Sequence, residues 1–446
     1  MSDGCTVTLF RRMTPMKNII SGLASGIIIL FFTLPVFSYN TKGIISYPIP
    51  FYAGNGVFQV RDFSGINFNK VRINIYDGDG EEVSAGRYPG YPALWDGRDK
   101  NGRRVKPGLY IVKIDAEDVT TGLHGKKLVK ILTTGASRGT FTQGGWVGAK
   151  YIAMGRTGEV TADDVYSIYW NPAGLTELRH TQILTEQEIK DKASKGKIED
   201  ITESELVRFS EEEKSFSVQM GAYGSMMNVG RNNGFFGMAI NLPKGVLGIG
   251  AYTMYSGGID QRDYNGYKTG SLGYIGSAFY LSYGVSLGVA SLGFSVKALW
   301  ERIGNNNYLG CGVDIGTQVY VLPFLKVGLM VQDLGTGMYP LENRTGVGQK
   351  YTFGYPTLRL GIALITNRNL NISVSGIKHF DQKSFDYGLG VQYDITKWAS
   401  VYLGMQNLSF STGMSFHIVQ FDISYAFTID TINFGFNHFV SMNVLF

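Results

Sequence analysis

From Gly174 to Phe446 the chain is written as a succession of short alternating segments, and few folds accept that pattern. Leu247, Ile249, Ala251 and Thr253 alternate with Gly248, Gly250 and Tyr252. Segments 279–283, 293–300, 313–322, 325–332, 357–365, 371–377, 385–393, 399–406, 413–419 and 422–427 continue in kind. Strand side chains alternate with period two, so each segment offers one apolar face and one small or polar face. Glycine on the small face lets another element approach closely, at some entropic cost. The last strand makes the same point. Phe446, Val444, Met442 and Val440 share an apolar face, while Leu445, Asn443 and Ser441 take the other. An outer-membrane barrel needs such a strand, because it closes against the first and turns its outer face to lipid.

Membrane strands need about 9–11 residues each plus turns, so the length after Gly174 admits roughly 12–14 strands. That is more than the smallest barrels use and fewer than large porins. Composition agrees. Aromatic residues make up 13% of the chain and charged residues only 17%, which excludes a disordered chain. The net charge of +5 is mild, and no basic stripe with interleaved aromatics points to nucleic acid. Cys5 and Cys311 are far apart and fit no metal spacing, so no metal or cofactor is expected.

Lys17, the apolar run 19–36 and Ser38 describe a secretory signal peptide over 16–38, with Met16 a plausible start and 1–15 an upstream extension. After Ser38 no stretch of about 18 apolar residues occurs, the length a membrane helix requires. Segment 186–214 is packed with charge, ends in Glu211-Glu212-Glu213 and cannot face lipid, so it reads as a solvated loop.

Residues 45–134 read as a separate β-sandwich. Segment 70–76 alternates cleanly before the turn Asp77-Gly78-Asp79-Gly80, and 108–114 and 128–132 supply further strands. Spacing and length suit an immunoglobulin-like domain. Asp77, Asp79, Asp96, Asp99 and Asn101 lack a calcium-loop arrangement and read as turn residues. The run Trp95-Asp96-Gly97, then Asp99, Gly102, Val105, Pro107-Gly108 and Tyr110, resembles the FlgD-type immunoglobulin-like module. That resemblance implies a structural signature, with Trp95 in the core and Tyr110 packed back on it.

Between the two bodies stand Ala153-Met154-Gly155, Ala162-Asp163-Asp164 and Asn171-Pro172-Ala173-Gly174-Leu175. Asn-Pro disfavours helix before the proline and removes a donor. In this register the residues resemble the start of the FadL-like outer-membrane family, and most closely its PorV/PorQ branch. Segments 313–316, 327–335 and 355–361 look similar to that branch as well, so the resemblance spans roughly 146–446. It implies a hatch or plug over 145–178 containing Asp163, Asp164, Asn171, Pro172, Ala173 and Gly174. The alternative reading of these residues is a structural turn that starts the first strand.

No catalytic constellation stands out: the five histidines are scattered, and no G-x-S-x-G, P-loop or H-E-x-x-H motif occurs. A non-enzymatic outer-membrane barrel is expected. The PorV/PorQ resemblance implies protein secretion or surface attachment with exported or periplasmic protein partners. The FadL-like alternative is a channel for hydrophobic small molecules such as fatty acids. The immunoglobulin-like domain is expected in the periplasm, where the N-terminus of an even-stranded barrel lies.

Overall fold

The computed structural model describes residues 43–53, 56–63, 68–119, 123–134, 141–179, 217–341, 352–366, 369–380, 385–430, 432 and 435–446. The expected signal peptide, the upstream extension and the charged segment 186–214 lie outside these residues.

The N-terminal module has two sheets. One joins β1 (Ile44–Tyr47), β3 (Phe58–Asp62) and β6 (Ala93–Trp95); the other joins β2 (Phe51–Tyr52), β4 (Lys70–Asp77), β5 (Glu82–Tyr88), β7 (Gly108–Asp118) and β8 (Leu123–Thr134). Alternation explains the shared core: Val71, Ile73 and Ile75 of β4 and Val112 and Ile114 of β7 are buried with Phe58, Val60 and Trp95. Trp95 packs against Phe51, Phe58 and Tyr110 and donates its indole N–H to Arg98 O. The Tyr110 hydroxyl donates to Lys106 O at 2.8 Å. Gly97 and Gly102 both take φ of +76°, where a side chain is strained. Asp77, Asp96 and Asp99 each accept backbone N–H groups of their own turns, which is turn chemistry.

The second body is a closed barrel of fourteen antiparallel strands. Its strands are β9 (Val218–Met226), β10 (Asn232–Leu242), β11 (Gly245–Arg262), β12 (Lys268–Leu287), β13 (Ala290–Ile303), β14 (Asn306–Leu322) and β15 (Leu325–Pro340). After a two-residue β16 (Thr352–Phe353) come β17 (Thr357–Thr366), β18 (Leu370–His379), β19 (Asp386–Thr396), β20 (Ala399–Gln406), β21 (Ser409–Ile418), β22 (Phe421–Ile429) and β23 (Phe436–Leu445). Leu445 lies opposite Gln219 and His438 opposite Met226, so β23 closes on β9. Phe446 and Val218 exchange backbone hydrogen bonds of 2.8 and 3.1 Å. Closure leaves no strand edge for lipid to meet.

Outside, the wall is apolar. Phe279 and Leu281 are 56% and 53% exposed while Tyr280 between them is buried. Phe294, Val296, Leu360, Ile362, Val374, Leu403, Val440 and Met442 extend the same exposed face around the barrel. This is the belt a membrane-spanning barrel presents to hydrocarbon.

The two ends differ. Val218, Phe446 and the tight turns 243–244, 288–289, 323–324, 397–398 and 419–420 gather at one end, called here the near end. The far end carries the longer connections 263–267, 341–356 and 380–385 beside two-residue turns at 304–305 and 407–408. There β11 and β12 run on to 18 and 20 residues, beyond the expected membrane-strand length, and the module packs on this extension. Ile49 and Arg262 exchange backbone hydrogen bonds of 2.9 and 3.0 Å. Arg231, buried at the far rim, reaches Gly78 O at 3.3 Å and Asp430 at 2.9 Å. Tyr76 and Ile111 of the module are buried with Ile432 of the rim.

Residues 141–179 lie inside the barrel as a chain of short helical turns: Phe141–Gln143, Ala149–Ala153, Gly158–Thr161, Ser167–Trp170 and Pro172–Arg179. Among the described residues the first barrel strand begins at Val218, and Pro172 opens a helical turn rather than a strand. Thr142 bonds Asp333 towards the far end, whereas Glu177 bonds Lys326 beside the near-end turn of β14 and β15. The two ends of the segment therefore lie towards opposite ends of the lumen. The module and Val218 lie at opposite ends of the barrel.

Candidate functional site: the filled lumen and its mouth

The inner face of the wall is glycine-rich where the inner segment meets it. Ideal Cβ atoms at Gly316, Gly293, Gly328, Gly361, Gly404 and Gly221 would collide with Asn171, Ala173, Glu159, Glu159 again, Gly155 and Val165 respectively. A Cβ at Gly284 would sit 2.8 Å from Pro172 O, and one at Gly390 2.5 Å from Met154 O. Glycine thus forms a belt on most strands that admits the inner segment to backbone distance. Gly155 answers from the other side: its φ is +65° and its Cα packs against β19 and β20.

Asn171 ends the helical turn Ser167–Trp170 in an extended conformation and caps the turn that follows. Its Oδ1 accepts from Ala173 N at 3.1 Å, and Pro172 opens that turn, where a missing N–H costs nothing. Its Nδ2 donates to Glu159 O at 2.7 Å and to Thr317 O of the wall at 3.2 Å. Asp163 accepts from Lys150 at 2.9 Å and from Tyr151 at 3.0 Å, within the segment. Asp164 accepts from Tyr166 N and from Asn443 Nδ2 of β23, each at 2.9 Å. Asn171 and Asp164 therefore join the segment to the wall, while Asp163, Pro172, Ala173 and Gly174 shape it.

Over β13–β18 the segment is held by directional polar contacts. Lys297 is completely buried, bonds Asp314 at 2.7 Å and also pairs with Asp333. Thr142 of the inner segment donates to Asp333. Asp333 has φ of 64° and its N–H donates to Asp314 at 2.7 Å, at an irregularity in the β14–β15 register. A positive φ at a non-glycine residue in such a bulge marks a position held by its surroundings. Gln318 Nε2 donates to Glu159 O, Gln332 Nε2 to Thr142 O and Arg359 to Gln143 O.

Over β23 and β9–β12 aromatic rings dominate. Trp146 stacks on Phe439, which stacks on Tyr223; Tyr166 packs on Phe235; Tyr169 packs on Tyr252 and Tyr280. These wall residues sit one step beyond the glycine belt towards the far end, as Tyr252 follows Gly250 and Tyr223 follows Gly221 on the same faces. The hydroxyls of Tyr252 and Tyr280 and the indole N–H of Trp146 are buried and have no protein hydrogen-bond partner.

Beyond the rings lies a mouth cavity of about 320 Å³ whose lining includes Tyr76, Asp79, Trp146, Arg156, Arg231 and Asp430. The Arg156 guanidinium lies 3.3 Å from the centre of the Trp146 ring and donates to Gly144 O. The β4–β5 tip of the module brings Asp77, Asp79 and Glu81 to this region. Burial, with Asp386 and Asp77 nearby, pushes the Glu81 carboxyl up to about 7.

No protein-family model matches the chain, and no curated protein sequence matches it. Among solved structures the fold is similar to the Pseudomonas putida toluene transporter TodX, at 10% identity and a TM-score of 0.43, over 70% of this chain and 97% of that one. It is similar to the monoaromatic hydrocarbon channel CymD at 12% identity and a TM-score of 0.41, over 67% and 96%. A Pseudomonas aeruginosa FadL homologue gives 9% and 0.40, over 67% and 98%. These are likenesses of shape. The PorV/PorQ and FlgD-type resemblances rest on the motifs quoted above.

Proposed function

We propose that the protein is a FadL-like outer-membrane barrel that passes small molecules with an apolar, ring-sized body, and that residues 141–179 act as its hatch. The observation that carries this reading is the aromatic side of the lumen, with Trp146, Tyr252 and Tyr280 offering unpartnered donors beside flat rings. Rings supply apolar contact, and a few placed donors supply orientation, which is how small-molecule sites are generally built. Trp146 also lines the mouth cavity at the far end. Protein secretion or surface attachment, the role implied first by the motifs, fits less well, because backbone meets backbone at the glycine belt and leaves no broad lumen.

The test uses intrinsic tryptophan fluorescence in a background with Trp95, Trp300 and Trp398 replaced by Phe, which leaves Trp146 and Trp170, both buried on the inner segment, as reporters. Titrating the detergent-purified full chain with a simple alkylphenol is expected to give saturable quenching. The Tyr252→Phe, Tyr280→Phe double variant is expected to weaken it about tenfold, since two hydrogen bonds of about 0.5–1.5 kcal/mol are lost. Non-saturable quenching that is equal in both proteins would refute the proposal.

A further inference from the structure

We infer that the N-terminal module lies outside the cell, as a cap over the outward mouth of the barrel. Three observations carry the inference, and none depends on what the barrel transports. The first is the asymmetry of the ends. Outer-membrane barrels keep short turns on the periplasmic side and longer connections on the extracellular side. Here every connection at the end with Val218 and Phe446 is two or three residues long, whereas the opposite end carries the β11–β12 extension and the long connections beside two-residue turns at 304–305 and 407–408.

The second is where the module attaches. Its contacts fall on the far rim: Ile49 pairs with Arg262, Arg231 donates to Gly78 O, and Lys130 donates to Gly257 O. Met254 lies against Gly78, and Tyr47 lies against Gly266 in the β11–β12 connection. The long strands β11 and β12 thus serve as a platform above the membrane belt, which explains lengths that spanning alone does not need.

The third is the path of the chain. Thr142 is tied to Asp333 and Glu177 to Lys326, so the inner segment runs from the far end to the near end before β9 begins. A module that precedes such a segment is delivered to the far side. Folding of the barrel around the inner segment would leave the module outside, and Arg231, held on the rim by Asp430, would lock it there through Gly78 O.

Impermeant maleimide labelling of intact cells tests this with the full chain lacking Cys5 and Cys311. Lys100→Cys places a reporter on an exposed turn of the module, Lys126→Cys a second on β8, and Lys397→Cys one on a near-end turn. Heat-modifiable mobility on gels selects the folded protein. The inference expects both module reporters to label in intact cells and Lys397→Cys to label only after the outer membrane is permeabilised. Module labelling that requires permeabilisation, or labelling of Lys397→Cys in intact cells, would overturn it.

Discussion

The two sides of the lumen hold the same inner segment by different means. Under β13–β18 the contacts are directional: Thr142 on Asp333, which the wall residues Lys297 and Asp314 hold, Asn171 on Thr317 O, and Arg359 on Gln143 O. Under β23 and β9–β12 the contacts are mainly ring on ring, with hydrogen bonds such as Tyr166 to Ala222 O at the margin. Directional bonds fix one register and lose most of their strength when displaced. Ring contacts are softer and tolerate rearrangement by a guest of similar shape. The polar side therefore acts as the anchor and the aromatic side as the place where something else can enter.

The largest effect is expected from breaking the anchor. Lys297→Met leaves Asp314 and Asp333 buried without their cation, and losing one partner of a buried pair costs about 3–5 kcal/mol. Thermal unfolding in detergent should shift down by that amount, whereas an unchanged transition would mean that the cluster is not an anchor.

Next comes the belt. Gly316→Leu drives a side chain into Asn171, and overpacking costs about 1–3 kcal/mol before the segment gives way. The strands keep their own ladder, so a closed barrel with a displaced segment and raised single-channel conductance is expected. Wild-type conductance would show that the belt tolerates bulk.

The aromatic side should respond in the opposite sense. Tyr252→Phe with Tyr280→Phe removes hydroxyls that have no protein partner, so stability should change by less than about 1 kcal/mol while guest binding falls. A large loss of stability would place those hydroxyls among the anchors and erase the comparison.

The smallest effect concerns the mouth. Glu81 is raised from 4.5 to about 7 by burial and by Asp386, Asp77 and Asp79, with Arg156 opposing. An acid whose value is raised on docking binds more protons when docked, so docking strengthens as pH falls from about 7 towards 4.5 and is weakest above 7. Hydrogen exchange at the β4–β5 tip should be slower at pH 5.5 than at pH 8, and Glu81→Gln should flatten the difference. A tip whose exchange is protected more at pH 8, after correction for intrinsic rate, would contradict this assignment.

Much of the wall was legible in the sequence because lipid on one side and a packed interior on the other enforce strict alternation. Segments 313–322, 357–365 and 399–406 fall within β14, β17 and β20. Strands β9 and β10 gave no such signal: Gly221, Gly224, Gly234 and Gly237 interrupt their apolar faces. Two of these serve the inner segment, as a Cβ at Gly221 or Gly237 would press on Val165. The motif residues 171–175 were visible as a special backbone path, yet their partners, Thr317 and Gly316, lie about 145 positions away and only the closed barrel brings them near. Lys297, Asp314 and Asp333 sit on three separate segments and looked like isolated charges. A buried lysine between two carboxylates in a predicted membrane strand was the available signal. The side on which the module sits was hidden, since it depends on the direction in which the inner segment crosses the lumen.

Native mass spectrometry of the mature protein, extracted gently from outer membranes, tests the central claim most directly. The account predicts a single barrel carrying a small organic guest, retained by the wild type and lost from the Tyr252→Phe, Tyr280→Phe variant. A barrel without such a guest that instead carries a stoichiometric exported or periplasmic protein would contradict it.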